Sequence, residues 1–275
     1  MDRLTSRETK VQLDALLENP QTLYQGNIVN KRGRSRTNEI PYSEIVAKRL
    51  LHTHDFPQVL RQLPKVPNGQ LTRPADHDGT TLDPTILGIE QEDRVAVALY
   101  NHKSLGSLGT VIDYLVPIAM DGRTIGTIDL VAFDPSHATL TIIGYVFHET
   151  RRDTLLRCVL EIATLQHSID PFRFARLYED LLKDGQGNVV RPQDVTVRSA
   201  VLVLEGSYQD KSIAALRRMP HVADLIQELQ VGLYAVGIKL ELNDKPRFTR
   251  KHAAYPYRPV LHFLPVLKER SLPVI

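Results

Sequence analysis

Residues 126–166 decide the fold, because two strand-like segments are followed there by a helical one. Residues 126–134 read GTIDLVAFD and place Asp129 among apolar and β-branched residues. After a turn-like Pro-Ser-His, residues 139–147 read TLTIIGYVF, a continuous apolar run that is typical of a strand covered on both faces. Residues 154–166 read TLLRCVLEIATLQ and have the apolar spacing of a helix that packs on such a sheet.

The segments on either side of this stretch extend the sheet. Residues 110–120 predict a preceding strand, and Asp121 with Gly122 is a pair favoured in tight hairpins. Residues 197–205 predict a fourth strand and residues 231–241 a last one. Helices are predicted at residues 4–18, 41–51, 90–100, 172–183 and 221–229. The sequence therefore predicts an α/β fold with a mixed central β-sheet flanked by helices.

This order of elements, with an acid on one strand and a helix behind the next, resembles the PD-(D/E)xK nuclease superfamily. The resemblance covers about residues 90–205 and is most detailed in residues 110–166. It implies a restriction-endonuclease-like core. In that family an Asp on one strand and a Glu-x-Lys on the next hold one or two Mg²⁺ ions and position the attacking water.

The family's catalytic motif is only partly present. Asp129 matches the first acid and would be a metal ligand. The Glu and Lys positions are matched to Tyr145 and Phe147, which makes the motif degenerate. Mg²⁺ prefers hard oxygen ligands, and aromatic rings offer none that is comparable. We therefore expect a nuclease fold that lacks its full catalytic motif.

Two acids nearby could replace the missing one. Glu149 lies just past the second strand, and Glu161 lies on the following helix, four residues from Arg157. Glu161 and Arg157 share a helix face and could supply an acid and a cation from behind the strand. The structural alternatives are an ion pair between these two residues and an Asp129 that only accepts backbone hydrogen bonds.

Two basic segments are candidates for binding nucleic acid. The first has four cations within six positions, namely Lys31, Arg32, Arg34 and Arg36. The second lies in the C-terminal tail and includes Arg250 and Lys251. Lysine and arginine contact phosphates without reading sequence, so these residues would hold a nucleic-acid backbone. A solvated loop is the alternative interpretation of the first segment.

Length and composition describe an ordinary globular protein. The chain has 275 residues, of which 42% are hydrophobic and 24% charged, and a net charge of +2. We expect an N-terminal helical and loop region at 1–88, a nuclease-like α/β core at 89–242 and a basic tail at 243–275. Cys158 is the single cysteine, which excludes an internal disulfide and fits a reducing cytoplasm. No apolar run reaches the roughly 20 residues of a membrane span, so we expect a cytoplasmic protein with no membrane partner.

Other hydrolase and nucleotide-binding signatures are missing from the sequence. There is no Gly-x-Ser-x-Gly elbow and no Gly-x-x-x-x-Gly-Lys-Ser/Thr loop. The favoured interpretation is a nuclease-fold protein with a degraded metal site that binds nucleic acid or a protein partner without cleavage. The first alternative is an active Mg²⁺-dependent nuclease with displaced acidic ligands. The second is a protein-interaction or homo-oligomerisation module.

Overall fold

Helices and strands alternate through the part of the chain that the computed structural model describes, which is residues 4–67, 70–74, 77, 91–146, 153–237, 239–242, 257–260 and 268–269. The helices are Ser6–Leu16 (α1), Tyr42–His52 (α2), Phe56–Arg61 (α3), Gln91–His102 (α4), Leu155–Ser168 (α5), Pro171–Arg176 (α6), Tyr208–Ala214 (α7) and Pro220–Glu228 (α8). The strands are Thr110–Met120 (β1), Arg123–Asp134 (β2), Thr139–Val146 (β3), Thr196–Leu204 (β4), Val231–Val236 (β5), Lys239–Leu242 (β6), Tyr257–Val260 (β7) and Lys268–Glu269 (β8).

A mixed sheet forms the centre of the fold, in the order β1-β2-β3-β4-β5-β8. β2 runs antiparallel to β1 and β3, whereas β3, β4 and β5 are parallel. Helix α5 makes the crossover that parallel β3 and β4 require. Strands β6 and β7 pair separately. The predicted mixed sheet flanked by helices is confirmed.

Helices cover the sheet on both faces. On one face α5 packs with α1, α2, α3 and α8, and their apolar side chains share one core with Ile142 and Val146 of β3. On the other face α4 packs over Tyr114, Leu130 and Tyr145. Burial on both sides explains the continuous apolar run of β3. None of the described helices is long and apolar enough to cross a membrane.

Glycines set both ends of β1. Asp121 and Gly122 have φ angles of 50° and 75°, and the chain turns there from β1 into β2 as predicted. Gly109 precedes β1 at φ 88°, where a side chain is strained. A Cβ at Gly109 would also lie 2.2 Å from the Phe133 carbonyl oxygen. Position 109 therefore admits glycine alone.

Several elements differ from the sequence prediction. The helix expected over 172–183 ends at Arg176, and the strand expected over 231–241 ends at Val236, with β6 following at Lys239–Leu242. Strands β7 and β8, in the segment expected to be a basic tail, were not predicted. The short helices α3 and α7, of six and seven residues, were not predicted. Elements of that length complete too few turns to show a hydrophobic periodicity.

Candidate functional site

A cavity of about 620 Å³ lies between β2, β3 and α5, and the 3₁₀ turn Pro20–Gln25 contributes to its wall. Four charged residues line it, namely Asp129, Asp153, Arg157 and Glu161. Three of these were singled out from the sequence, and the structure brings them to one cavity. Asp153 was not anticipated. Glu149 and Phe147 lie outside the described residues.

Asp129 lies on β2 between two paired positions of the β1–β2 ladder. The paired register passes from Tyr114–Leu130 to Val116–Ile128, leaving Asp129 between the pairs. Its Oδ2 accepts a hydrogen bond of 2.8 Å from the Tyr145 N–H. Asp129 therefore accepts a backbone hydrogen bond, and its carboxylate also lines the cavity.

The second-strand position beside Asp129 is Gly144. A Cβ on Gly144 would lie 3.9 Å from Asp129 Oδ2 and 3.7 Å from Ile162 Cβ. Tyr145 belongs to the apolar core on the opposite face of the sheet, whereas Val146 belongs to the core that α5 shares. The β3 residue beside Asp129 is therefore Gly144, and the matching of Tyr145 to the motif's Glu position stays a prediction. Position 144 carries no side chain, so β3 offers no acid there.

Helix α5 supplies the remaining charges of the cavity. Arg157 Nη1 forms an ion pair with Asp153 Oδ1, four residues earlier. Arg157 Nε is buried and has no hydrogen-bond partner. Buried donors without a partner are rare, and a cavity wall is where a ligand could satisfy one. Glu161 lies one turn further along the same helix.

Asp153 joins the cavity to the first basic segment. Asn30 Nδ2 donates to Asp153 Oδ1 at 2.7 Å, and the Thr154 N–H donates to Asn30 Oδ1 at 2.7 Å. Thr154 Oγ1 also donates to the Val29 carbonyl at 3.0 Å and caps α5. From α7, Gln209 Nε2 donates to the Asp153 carbonyl at 2.7 Å. Three separate parts of the chain therefore meet at Asp153.

Two further titratable groups line the cavity in their neutral forms. Burial raises the pKa of the Cys158 thiol well above its ordinary value, and the carboxylates of Glu161 and Asp153 raise it further. Burial also raises the pKa of Tyr24, whose hydroxyl donates to the Ile125 carbonyl at 2.6 Å. Cys158 is thus a buried packing residue, and the charge of the cavity comes from its carboxylates and Arg157.

The first basic segment begins beside this junction. Lys31 Nζ lies 5.4 Å from the centre of the Tyr42 ring, and the Arg32 guanidinium lies 3.8 Å from that of Tyr208. Arg34 and Arg36 are exposed. These contacts position the segment, and its binding to nucleic acid stays a prediction. Arg250 and Lys251 of the tail lie outside the described residues.

A second group of polar side chains, which the sequence did not reveal, surrounds Asp113 on β1. Asp113 is fully buried, with His77 Nδ1 at 2.7 Å and the Tyr114 N–H donating at 2.8 Å to Oδ1. Tyr178 donates its hydroxyl to Oδ2 at 3.0 Å, and Arg73 Nε lies 3.8 Å from Oδ2. Burial and the nearby Asp113 charge raise the pKa of Tyr178 well above its ordinary value, so the phenol remains a donor. These contacts close the site around Asp113.

The donor set limits what metal site the protein alone could form. Among the described residues, no three His, Cys, Asp or Glu side chains are grouped so that they could hold a metal ion. Comparison with known proteins adds no assignment, since no family model matches the chain and no curated protein or solved structure is similar to it. The function is therefore inferred from the geometry of the cavity.

Proposed function

We propose that the chain is a metal-dependent phosphodiester hydrolase of the nuclease type, in which Glu161 on α5 replaces the acid missing from β3. The observation that carries the proposal is that Asp129, Glu161 and Arg157 line one cavity. Mg²⁺ is usually held by one or two carboxylates, with water and substrate phosphate completing its ligands. Asp129 and Glu161 fit that requirement without a third protein ligand.

The charged groups of the cavity have separate roles in this proposal. Asp129 and Glu161 would hold the cation, with the Asp129 carboxylate oriented by the Tyr145 N–H. A bound divalent cation would draw charge from the phosphate and make an attacking water more acidic. Arg157 would donate its unsatisfied Nε–H to a phosphate oxygen, and guanidinium suits that contact better than ammonium.

The arrangement of the elements supports a restriction-endonuclease-like core as part of the same proposal. Asp129 is on β2, and the neighbouring β3 is followed by the crossover helix α5 and a parallel β4. This is the order on which the family resemblance rests. Movement of the second acid from β3 to α5 keeps it on the face of the sheet where Asp129 lines the cavity.

Calorimetry with Mn²⁺ and Mg²⁺, followed by cleavage of a fluorescent oligonucleotide, tests the proposal. We expect wild type to bind Mn²⁺, and Asp129→Asn and Glu161→Gln to bind it about a hundred-fold more weakly or worse. Both variants should lose Mn²⁺-dependent cleavage. Glu179→Gln is the matched control, because Glu179 is an exposed carboxylate outside the cavity. Absence of Mn²⁺ binding in wild type would refute the metal site.

A second candidate, binding of nucleic acid without cleavage, is favoured by β3 itself. Gly144 has no side chain and Val146 is apolar, so this strand supplies neither an acid nor a cation to the cavity. A protein of this kind would bind oligonucleotide equally well in EDTA and leave it intact with Mn²⁺. That outcome, together with an unchanged affinity of Asp129→Asn for the oligonucleotide, would replace the first proposal with the second.

A further inference from the structure

Tyr208 presents an aromatic surface beside the first basic segment. The residue lies on α7 and is 43% exposed, although large apolar side chains are usually covered. The guanidinium of Arg32 lies 3.8 Å from its ring centre, within the range of a cation–π contact. A guanidinium over an exposed ring forms a flat, positively charged stack at the surface.

The residues next to both members of this stack are fixed on Asp153. Asn30, two positions before Arg32, hydrogen bonds to the Asp153 side chain. Gln209, the neighbour of Tyr208, hydrogen bonds to the Asp153 carbonyl at 2.7 Å. Asp153 itself lines the cavity. The stack is therefore held beside the cavity from both sides, by bonds that span long stretches of sequence.

We propose that Arg32 and Tyr208 form a stacking platform for a base of single-stranded nucleic acid, positioned next to the cavity. Aromatic side chains bind single strands by stacking on base faces, and nearby cations follow the phosphates. Exposed Arg34 and Arg36 follow Arg32 in the chain and would supply such phosphate contacts. The identity of the ligand as nucleic acid rests on the proposed function, whereas the preference for single strands comes from this platform.

The geometry favours a single strand over a duplex. The base faces of a duplex are covered by neighbouring base pairs, so a surface ring can stack on a base only where the strand is open. A platform of this type also binds with little sequence preference, because every base has an aromatic face. The occupant is thus an open strand whose bases stack on Tyr208.

Fluorescence anisotropy with a labelled oligothymidylate of about 12 nucleotides tests this platform. The measurement is made in EDTA at fixed salt, so that neither cleavage nor ionic strength contributes. We expect Tyr208→Ala to weaken binding about ten-fold, and Tyr208→Phe to bind as wild type does. Phe172→Ala is the matched control, since Phe172 is another exposed aromatic side chain, and it should bind normally.

An abasic sugar–phosphate oligomer of the same length separates stacking from phosphate contacts. Wild type should bind it about ten-fold more weakly than oligothymidylate, and Tyr208→Ala should bind it no worse than wild type does. Substitution of Arg34 and Arg36 by Ala should weaken both ligands equally, because phosphates are common to both. A hairpin duplex should bind more weakly than the open strand.

Three results would overturn the platform. They are unchanged affinity in Tyr208→Ala, equal affinity for the abasic oligomer, and tighter binding of the duplex. If wild type binds the open strand through Tyr208 but does not cleave it with Mn²⁺, only the proposed hydrolase is contradicted. Cleavage that is indifferent to Tyr208 would contradict only the platform.

Discussion

Asp113 and Asp129 occupy equivalent places in two similar segments, yet their surroundings differ completely. Each follows an isoleucine and precedes apolar residues. Asp113 lies on the edge strand β1, and Asp129 lies on its neighbour β2. Asp113 is fully buried, with His77 and Tyr178 closing over it. Asp129 accepts the Tyr145 N–H and lines a cavity that also holds other charges. The first arrangement fastens the structure, and the second leaves room for a ligand.

The difference comes from partners that are distant in the chain. His77 and Tyr178 are 36 and 65 residues from Asp113, whereas Tyr145, which donates its N–H to Asp129, is 16 residues away on the next strand. A local sequence pattern does not reveal contacts between residues so far apart in the chain. An acid within an apolar strand thus indicates an important position, and only its packing distinguishes a structural role from a chemical one.

Replacing each aspartate by alanine should separate the two roles most clearly. Asp113→Ala leaves Tyr178 and His77 without their acceptor and removes the ion pair with Arg73, and we expect it to cost about 3–5 kcal/mol of unfolding free energy. Asp129→Ala should cost about 1 kcal/mol, because it removes one backbone contact at a cavity wall. Urea denaturation measures both values. Equal losses would mean that Asp129 is as structural as Asp113.

A carboxylate introduced at Gly144 should sharpen the chemical role of Asp129. The position has room for a Cβ, and a glutamate there would stand beside Asp129. We expect Gly144→Glu to tighten Mn²⁺ binding about ten-fold in calorimetry, since a third carboxylate joins the site. In EDTA the same variant should lose about 1 kcal/mol of stability through repulsion between the acids.

Gly144→Ala is the control for this variant, because it fills the same space without a charge. Its Mn²⁺ affinity should equal that of wild type. Identical metal binding by Gly144→Glu and Gly144→Ala would show that the cation does not sit beside Asp129.

The smallest expected effect is a pH dependence of the unfolding free energy that comes from His167. Burial lowers the pKa of His167, and Lys65 and Arg61 lower it further. The unfolded chain therefore binds the proton first, so the unfolding free energy falls as the pH drops below about 6.5. His167→Gln should remove less than about 1 kcal/mol of this loss between pH 7 and 5.

The sequence predicted the centre of the fold because local patterns determine it. Alternation, the Asp121-Gly122 turn and the helical spacing behind β3 each carry a signal within a few residues. β3 shows where that signal ends. Its residues are buried on both faces, so no alternation marks which of Gly144 and Tyr145 faces Asp129. The position of Gly144 beside Asp129 could therefore not be derived from that continuous apolar run.

Three of the four charged residues of the candidate site could be singled out from the sequence, for a related reason. Asp129, Arg157 and Glu161 lie on elements with clear patterns, so their approach could be anticipated from a strand and the helix behind it. Asp153 lies in a charged link, and its contact with Asn30 crosses 123 residues of sequence. The stack of Arg32 on Tyr208 is equally remote. Contacts of that kind leave no trace in local spacing.

The Asn30 amide is a position where slow chemical ageing would change the structure. Its nitrogen donates to Asp153 while its oxygen accepts from Thr154, so both halves of the amide are in use. Asparagine amides hydrolyse slowly to carboxylates, especially with heat. A carboxylate at position 30 would face Asp153 with like charge and no donor. Ageing of this single side chain would therefore break the contact between position 30 and Asp153, while the bond from Thr154 to the Val29 carbonyl would remain.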